Sequence, residues 1–117
     1  MPHRSEGFKS NVFAQRLKES RLRKGMAQDK LGVMIGLDET VASARISRYE
    51  GGVHEPPIHT ARALADALGV PLGYLYCDNE RLAQIILAAS ELPVSEQEQL
   101  LKALQKKLRT PKVQGKT

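Results

Sequence analysis

The sequence predicts an all-α fold. In one segment after another, apolar residues recur three and four positions apart, which is the spacing of a helix with one buried face. Between these segments lie glycines and prolines, the residues that end helices or precede them. Only 4% of the 117 residues are aromatic and none is tryptophan, so we expect a core of Leu, Ile, Val and Ala. The length suits one small domain with an appendage.

The first helix is predicted over about residues 11–24. Phe13, Leu17 and Arg21 share one side of it at intervals of four residues, and a glycine follows its end. Residues 1–10 are polar, and we expect them to form a disordered arm.

The stretch from residue 26 to residue 52 reads as two short helices joined by a turn. The first is predicted over residues 28–35. Gly36 closes it, because a helix C-terminus favours a residue that accepts positive φ. Asp38 supplies a capping side chain for the second helix. That helix is expected to end at residue 49 or 50, just before two glycines.

Two further helices complete the predicted domain. Ile58, Ala61, Ala65 and Leu68 form a buried stripe at helical spacing after a turn that contains two prolines. A glycine ends this helix. Residues 70–76 predict a short fifth helix, which a proline opens in its first turn and which closes the core.

Additional C-terminal helices are predicted over residues 77–109. The first has Leu82, Ile85, Ile86 and Ala89 at helical spacing. A capping box at residues 95–98 then opens a last helix with the apolar stripe Leu100, Leu101, Leu104 and Leu108. This stripe either builds a dimer interface, which we favour because a small monomer covers it only partly, or folds back onto helices 1 and 5. The polar residues 110–117 are expected to form a flexible tail.

Short motifs follow one another in a fixed order between residues 13 and 76. They comprise Arg16, Leu17, Arg21, Gly25, Gln28, Leu31, Gly36, the run Ile46, Ser47, Arg48, Tyr49 and Glu50, then Gly52, Pro56 and residues 65–70. In this order they resemble the lambda-repressor and Cro (XRE) family of helix-turn-helix transcriptional regulators. The resemblance implies a five-helix lambda-repressor-like DNA-binding domain over residues 11–76, whose second motif helix enters the DNA major groove. Ala27 departs from the family, which usually has Ser or Thr there as the helix cap.

The resemblance also implies which residues contact DNA. Ser43, Ala44 and Arg48 match the positions that face base edges, and the amide of Gln28 matches a donor to phosphate or base. Arg45 and Arg48 either touch base edges or contact phosphates only. The full set expected at the DNA is Gln28, Lys30, Ser43, Ala44, Arg45, Ser47, Arg48 and His54.

Two structural expectations follow from the same comparison. Arg21 and Glu50 match positions that pair in the family. This implies an ion pair between helix 1 and the end of the second motif helix, which is the recognition helix. The stretch before Ile46 is about four residues longer than the family's spacing. Residues 38–42 either add one turn to the recognition helix without rotating its face or lengthen the turn before it. Acidic residues stabilise a helix N-terminus, so Asp38 and its neighbour favour the longer helix.

Charge agrees with a polyanionic partner. The formal net charge is +5 and the pI is about 9.6. Residues 1–52 contain ten Lys or Arg against six acidic residues, and residues 53–90 contain two against four. The basic excess therefore surrounds the predicted helix-turn-helix. Residues 91–117 contain six Lys or Arg against three acidic residues. Basic residues are favourable near the C-terminal end of a helix, where the helix dipole is negative.

Several classes of protein are not favoured. One cysteine, Cys77, excludes an intrachain disulfide, and the three histidines do not form a ligand set with it, so we expect no metal and no cofactor. No nucleophile with a base and no phosphate-binding glycine loop occurs at workable spacing, which argues against an enzyme. The sequence has no signal peptide and no membrane span, which indicates a cytoplasmic protein.

The sequence therefore predicts a sequence-specific transcriptional regulator, most simply a repressor. It is expected to bind double-stranded DNA at a near-palindromic operator as a homodimer. The alternative is an antitoxin-like regulator, in which the same domain represses its own operon while the C-terminal helices bind a toxin protein.

Overall fold

The computed structural model describes the backbone of residues 2–109 and the side chains of residues 12–109. Within this range the chain is all-helical, as predicted. The seven helices are α1 (Pro2–Arg23), α2 (Gln28–Met34), α3 (Glu39–Glu50), α4 (Ile58–Leu68), α5 (Leu72–Tyr76), α6 (Glu80–Ser90) and α7 (Val94–Leu108). The chain divides into two compact units, an N-terminal unit of residues 1–87 and a C-terminal unit of residues 88–117. The predicted tail at residues 110–117 lies outside the described residues.

The first helix is longer than predicted. Its backbone is helical from Pro2, which differs from the disordered arm expected over residues 1–10. Proline suits the first turn of a helix, because the N–H that it lacks has no partner there in any case. No later proline interrupts α1, which ends before Gly25 at a φ of +68°.

The core of the N-terminal unit lies where α1 to α5 and the first part of α6 meet. Its largest fully buried aliphatic side chains are Leu17, Leu31, Ile46, Leu64 and Leu75. Three aromatic residues, Phe13, Tyr49 and Tyr74, are also buried, so the expectation of a purely aliphatic core is corrected. Aromatic rings bury a large apolar area each, and a few of them therefore suffice despite their low abundance.

Helix α4 has the predicted bounds but not quite the predicted buried face. Ala61, Ala65 and Leu68 are buried, and Leu64 joins them, whereas Ile58 is 62% exposed. Ile58 is the first residue of the helix, and the rest of the core does not cover that end of the stripe. Helix α5 closes the core as predicted, although its proline stands just before the helix and not within its first turn.

Helix α6 turns a different face to the core from the one predicted. Ala83 is fully buried and Ile86 packs against the core, whereas Leu82 and Ile85 are exposed. The side chain of Asn79 accepts a hydrogen bond from the backbone N–H of Leu82 at 2.8 Å, which caps the helix start. The N-terminal unit therefore extends beyond the predicted domain boundary at residue 76.

Helix α7 does not begin with the predicted capping box. Pro93 is the cap residue, and Ser95 therefore lies inside the helix, where its side chain makes no capping hydrogen bond. The extended backbone of proline lets the helix begin two residues earlier. Within the C-terminal unit, the Gln97 amide donates to the carbonyl oxygen of Ala89 at 2.8 Å. Among the described residues, no helix is long and apolar enough to cross a membrane.

Candidate nucleic-acid interface

Helix α3 is anchored by one face and exposed on the other. Ala42, Ile46 and Tyr49 are buried at the spacing of successive helical turns. On the outer face, two pairs of exposed residues lie one turn apart: Ser43 with Ser47, and Ala44 with Arg48. These four are among the residues predicted to contact DNA, and the fold brings them together on one surface.

The inserted residues lengthen α3 at its N-terminus, so the favoured alternative is confirmed. The helix begins at Glu39 and spans 12 residues. Asp38 caps it, because its carboxylate accepts from the backbone N–H of Thr40 at 2.8 Å and from the Thr40 hydroxyl at 2.7 Å. These two hydrogen bonds lower the pKa of Asp38, the side-chain bond more than the backbone bond. The cap therefore holds a charged carboxylate at neutral pH.

Helices α2 and α3 lie in close contact at Gly32, a residue to which the sequence pattern gave no role. A Cβ atom placed on Gly32 would lie 2.6 Å from the Cβ of Ala42 and 2.9 Å from its Cα. Only glycine fits this position. The sequence signal was a glycine in the middle of a predicted helix, where its low helix propensity needs a packing reason. The contact fixes how near α3 lies to α2.

Arg21 and Glu50 form the ion pair that the sequence predicts. The Nε atom of Arg21 lies 2.5 Å from Oε2 of Glu50, and Nη2 lies 3.0 Å from Oε1. The side chains are only 9% and 4% exposed. The hydrogen bond with Glu50 raises the pKa of the Arg21 guanidinium and outweighs the opposing effect of burial. The pair ties α1 to the last residue of α3, and the remaining amino group of Arg21 donates to the carbonyl oxygen of Met26 at 2.8 Å.

Gln28 lies between this ion pair and the exposed face of α3. Its Nε2 donates to Oε1 of Glu50 at 3.0 Å, and its Oε1 accepts from the hydroxyl of Ser43 at 3.3 Å. Gln28 is half-buried. One of its two amide hydrogens has no bond to a described residue, which leaves it available to a phosphate.

The other predicted contact residues differ in exposure. Lys30 and His54 are exposed on the surface of the N-terminal unit. Arg45 is half-buried, unlike the exposed Arg48. It lies three residues after Ala42 and four before Tyr49, and therefore at the edge of the buried face. In the range with described side chains, no three His, Cys, Asp or Glu residues are grouped as metal ligands.

Arg16 has a structural role that the sequence pattern of α1 did not indicate. Arg16 is 6% exposed, and its Nε donates to the carbonyl oxygen of Cys77 at 2.8 Å. Its Nη1 bonds Glu80 at 3.2 Å, and its guanidinium lies over the ring of Tyr74. Hydrogen bonds from Gln84 and then from Arg16 lower the pKa of Glu80. Arg16 is therefore a structural residue that joins α1 to the end of α5 and the start of α6.

Comparison with known proteins agrees with this arrangement. The family model described as Helix-turn-helix (HTH_3) matches residues 17–75, from the C-terminal part of α1 into α5. Among solved structures, the chain is similar to the crystal structure of transcriptional regulator BswR, with 40% sequence identity and a TM-score of 0.77. That match covers 81% of this chain and 94% of the other. The comparison with curated proteins gave no match. The resemblance found in the sequence is thereby confirmed, and the chain belongs to the lambda-repressor and Cro-like (XRE) family of helix-turn-helix proteins.

Proposed function

We propose that this protein is a DNA-binding transcriptional regulator that binds a near-palindromic operator as a homodimer and represses transcription there. The observation that carries the proposal is the outer face of α3, where Ser43, Ala44, Ser47 and Arg48 are exposed while the opposite face is buried. The major groove is wide enough to admit a helix, and each base pair presents a distinct pattern of donors and acceptors in it. A helix fixed by its buried side presents a constant set of side chains to that pattern.

The charges on this surface suit the proposal. Lys30 and Arg48 are exposed, and neither is paired with an acidic side chain in the described part of the chain. Their positive charges are therefore available to phosphates or to guanine. Of the acidic groups at the start of α3, Asp38 is occupied by its capping bonds, whereas Glu39 is exposed. A free carboxylate at that end limits how closely α3 approaches a phosphate.

Homodimerisation is supported by the apolar side chains of α7. Leu101, Leu104 and Leu108 are 53%, 46% and 66% exposed in the single chain, and Leu100 is half-buried. They repeat at helical spacing and form one apolar stripe. Such a stripe is unfavourable in water and is usually covered by a partner. A second copy of the chain would place two recognition helices on one operator, and a two-fold symmetric protein requires a near-palindromic site.

The proposed function is tested by selecting duplexes from a random pool with the full-length protein. A single enriched motif with two inverted halves, centred about 10 base pairs apart, is the expected result. A reporter gene placed behind the selected site should then be expressed less in the presence of the protein. Enrichment of no motif at any salt concentration would contradict sequence-specific binding.

Arg48 is expected to determine sequence and not only affinity. Two of its donors can bond O6 and N7 of one guanine, which is worth roughly 1 to 3 kcal/mol of discrimination against other bases. Arg48→Ala should therefore lose preference at one base pair in each half-site, as measured by binding to operators with single substitutions. Lys30→Ala is the matched control, since loss of a phosphate contact weakens operator and random DNA in similar proportion and lowers the salt slope by about one. If Arg48→Ala lowers the affinity for operator and random DNA equally, Arg48 contacts only a phosphate.

The dimer is tested on α7 without removing any element. Leu101→Glu combined with Leu104→Glu should give a monomer in sedimentation experiments and weaken operator binding, because charges then replace the apolar stripe. Glutamate is a good helix former, so α7 itself should persist. Gln99→Glu with Gln105→Glu is the matched control, because it adds the same two charges at exposed polar positions of the same helix. If the leucine variant still sediments as a dimer, the dimer interface lies elsewhere.

A further inference from the structure

A chain of hydrogen bonds leads from the buried ion pair to the exposed face of α3. Its members are Arg21, Glu50, Gln28 and Ser43, and each is bonded to the next. The first two are buried, Gln28 is half-buried and Ser43 is exposed. The chain therefore connects a fixed charge in the interior with a hydroxyl group on the surface assigned to DNA.

The direction of every bond in this chain is determined by chemistry. A carboxylate beside a guanidinium has acceptors only, so Glu50 accepts from both of its partners. The amide of Gln28 must consequently turn its NH₂ group towards Glu50, and its carbonyl oxygen then faces Ser43. A carbonyl oxygen is also an acceptor only. The hydroxyl hydrogen of Ser43 is therefore donated to Gln28.

This direction removes one of the two ways in which serine can bond a base. A serine hydroxyl has one donor and two acceptor lone pairs, and a free hydroxyl rotates to bond either kind of partner. Once its hydrogen is committed to Gln28, Ser43 offers only lone pairs to the groove. In the major groove, adenine N6 and cytosine N4 are donors, whereas guanine O6 and thymine O4 are acceptors.

We infer that the Arg21, Glu50 and Gln28 side chains fix Ser43 as a hydrogen-bond acceptor, so that Ser43 selects an amino base, adenine or cytosine, over a keto base, guanine or thymine. The inference rests on the proposed function, because it concerns what the outer face of α3 reads. Gln28 is then a positioning residue, which acts on base choice through Ser43. A single net hydrogen bond corresponds to a preference of roughly fivefold.

The test uses the full-length protein and duplexes selected from a random pool. For the wild type, one position on the contacted strand of each half-site should favour adenine or cytosine by roughly fivefold. Ser43→Ala should abolish the preference at that position and nowhere else. Gln28→Met, which keeps the side-chain length but frees the Ser43 hydroxyl, should keep the rest of the motif and admit guanine and thymine at the same position. Ser47→Ala is the comparison, because Ser47 is exposed on the same face but Gln28 bonds Glu50 and Ser43. It should leave the amino-base preference at the Ser43 position as it is in the wild type, and any change in base preference should fall at a different position.

The outcomes separate the inference from the function on which it rests. Any phosphate contact that Gln28 makes lowers binding to all duplexes alike, so it leaves the ratio between bases unchanged. An unchanged amino-base preference in Gln28→Met, or a keto base at the Ser43 position of the wild type, would overturn the inference while leaving the regulator in place. A wild type that enriches no motif would instead overturn the proposed function. Circular dichroism melting of each variant, compared with the wild type, shows that base choice is measured on folded protein.

Discussion

Gly32→Ala should lower the free energy of unfolding by about 2 kcal/mol. It should also weaken operator binding, and by more than the loss of folded protein accounts for. The new methyl group would lie 2.6 Å from the Cβ of Ala42 and 3.0 Å from its carbonyl oxygen, so α2 and α3 must move apart. Alanine is otherwise the better helix former by about 1 kcal/mol, so the expected sign is opposite to that of helix propensity. Displacing α3 also displaces every side chain that it presents. Urea unfolding and duplex binding measure the two effects.

A matched glycine provides the control for this prediction. Gly73 also lies within a helix, but a Cβ atom there would meet nothing within 4 Å, so Gly73→Ala should leave stability unchanged or raise it. Ala42→Gly introduced together with Gly32→Ala removes the closest of the three contacts and should recover part of the lost binding. A Gly32→Ala protein that is as stable as the wild type and binds equally well would show that the close approach is not required.

Glu50→Ala should destabilise the protein by about 3 kcal/mol, because it leaves the buried guanidinium of Arg21 without its carboxylate. The amide of Gln28 loses its acceptor in the same variant. Chemical unfolding of the variant measures the loss. Glu80→Ala is the comparison, since Glu80 also pairs with a buried arginine but is 71% exposed, and its removal should cost much less.

A double substitution separates a stranded charge from the value of the pair itself. Arg21→Met combined with Glu50→Leu removes both charges and should be more stable than either single variant, because apolar residues of similar volume replace a buried pair at little cost. A double variant no more stable than Glu50→Ala alone would mean that packing at this site, and not the unpaired charge, accounts for the loss.

The positions of most helices followed from the sequence, because end signals and apolar spacing agree. Helix α4 is one example, since a proline precedes it and its bounds are as predicted. The cap at Asp38 is another, since an acidic first turn follows it. The Arg21 and Glu50 pair was accessible only through the family resemblance. Two residues far apart in sequence show no periodicity that joins them.

Other features depend on tertiary contacts that local patterns do not contain. The sequence of α1 gives no reason for Arg16 to be buried, because its partners Cys77 and Glu80 lie more than 60 residues away. Helix α6 contains apolar residues on more than one face, so periodicity alone did not distinguish Ala83 from Leu82 as the buried residue. The hydrogen-bond direction at Ser43 likewise depends on three side chains from three helices.

Under the proposed function, the extra N-terminal turn of α3 bears on how rare an operator is in a genome. Four residues add about 6 Å to a helix, which equals roughly two base-pair steps of duplex. Glu39 and Thr40 are exposed in this turn, directly in line with Ser43 and Ala44. Each further base pair that these side chains read makes chance matches about fourfold fewer, and a two-fold symmetric site counts it twice. One additional base pair read in each half-site thus reduces the number of competing genomic sites about sixteenfold. This gain in specificity requires no stronger contact with any phosphate.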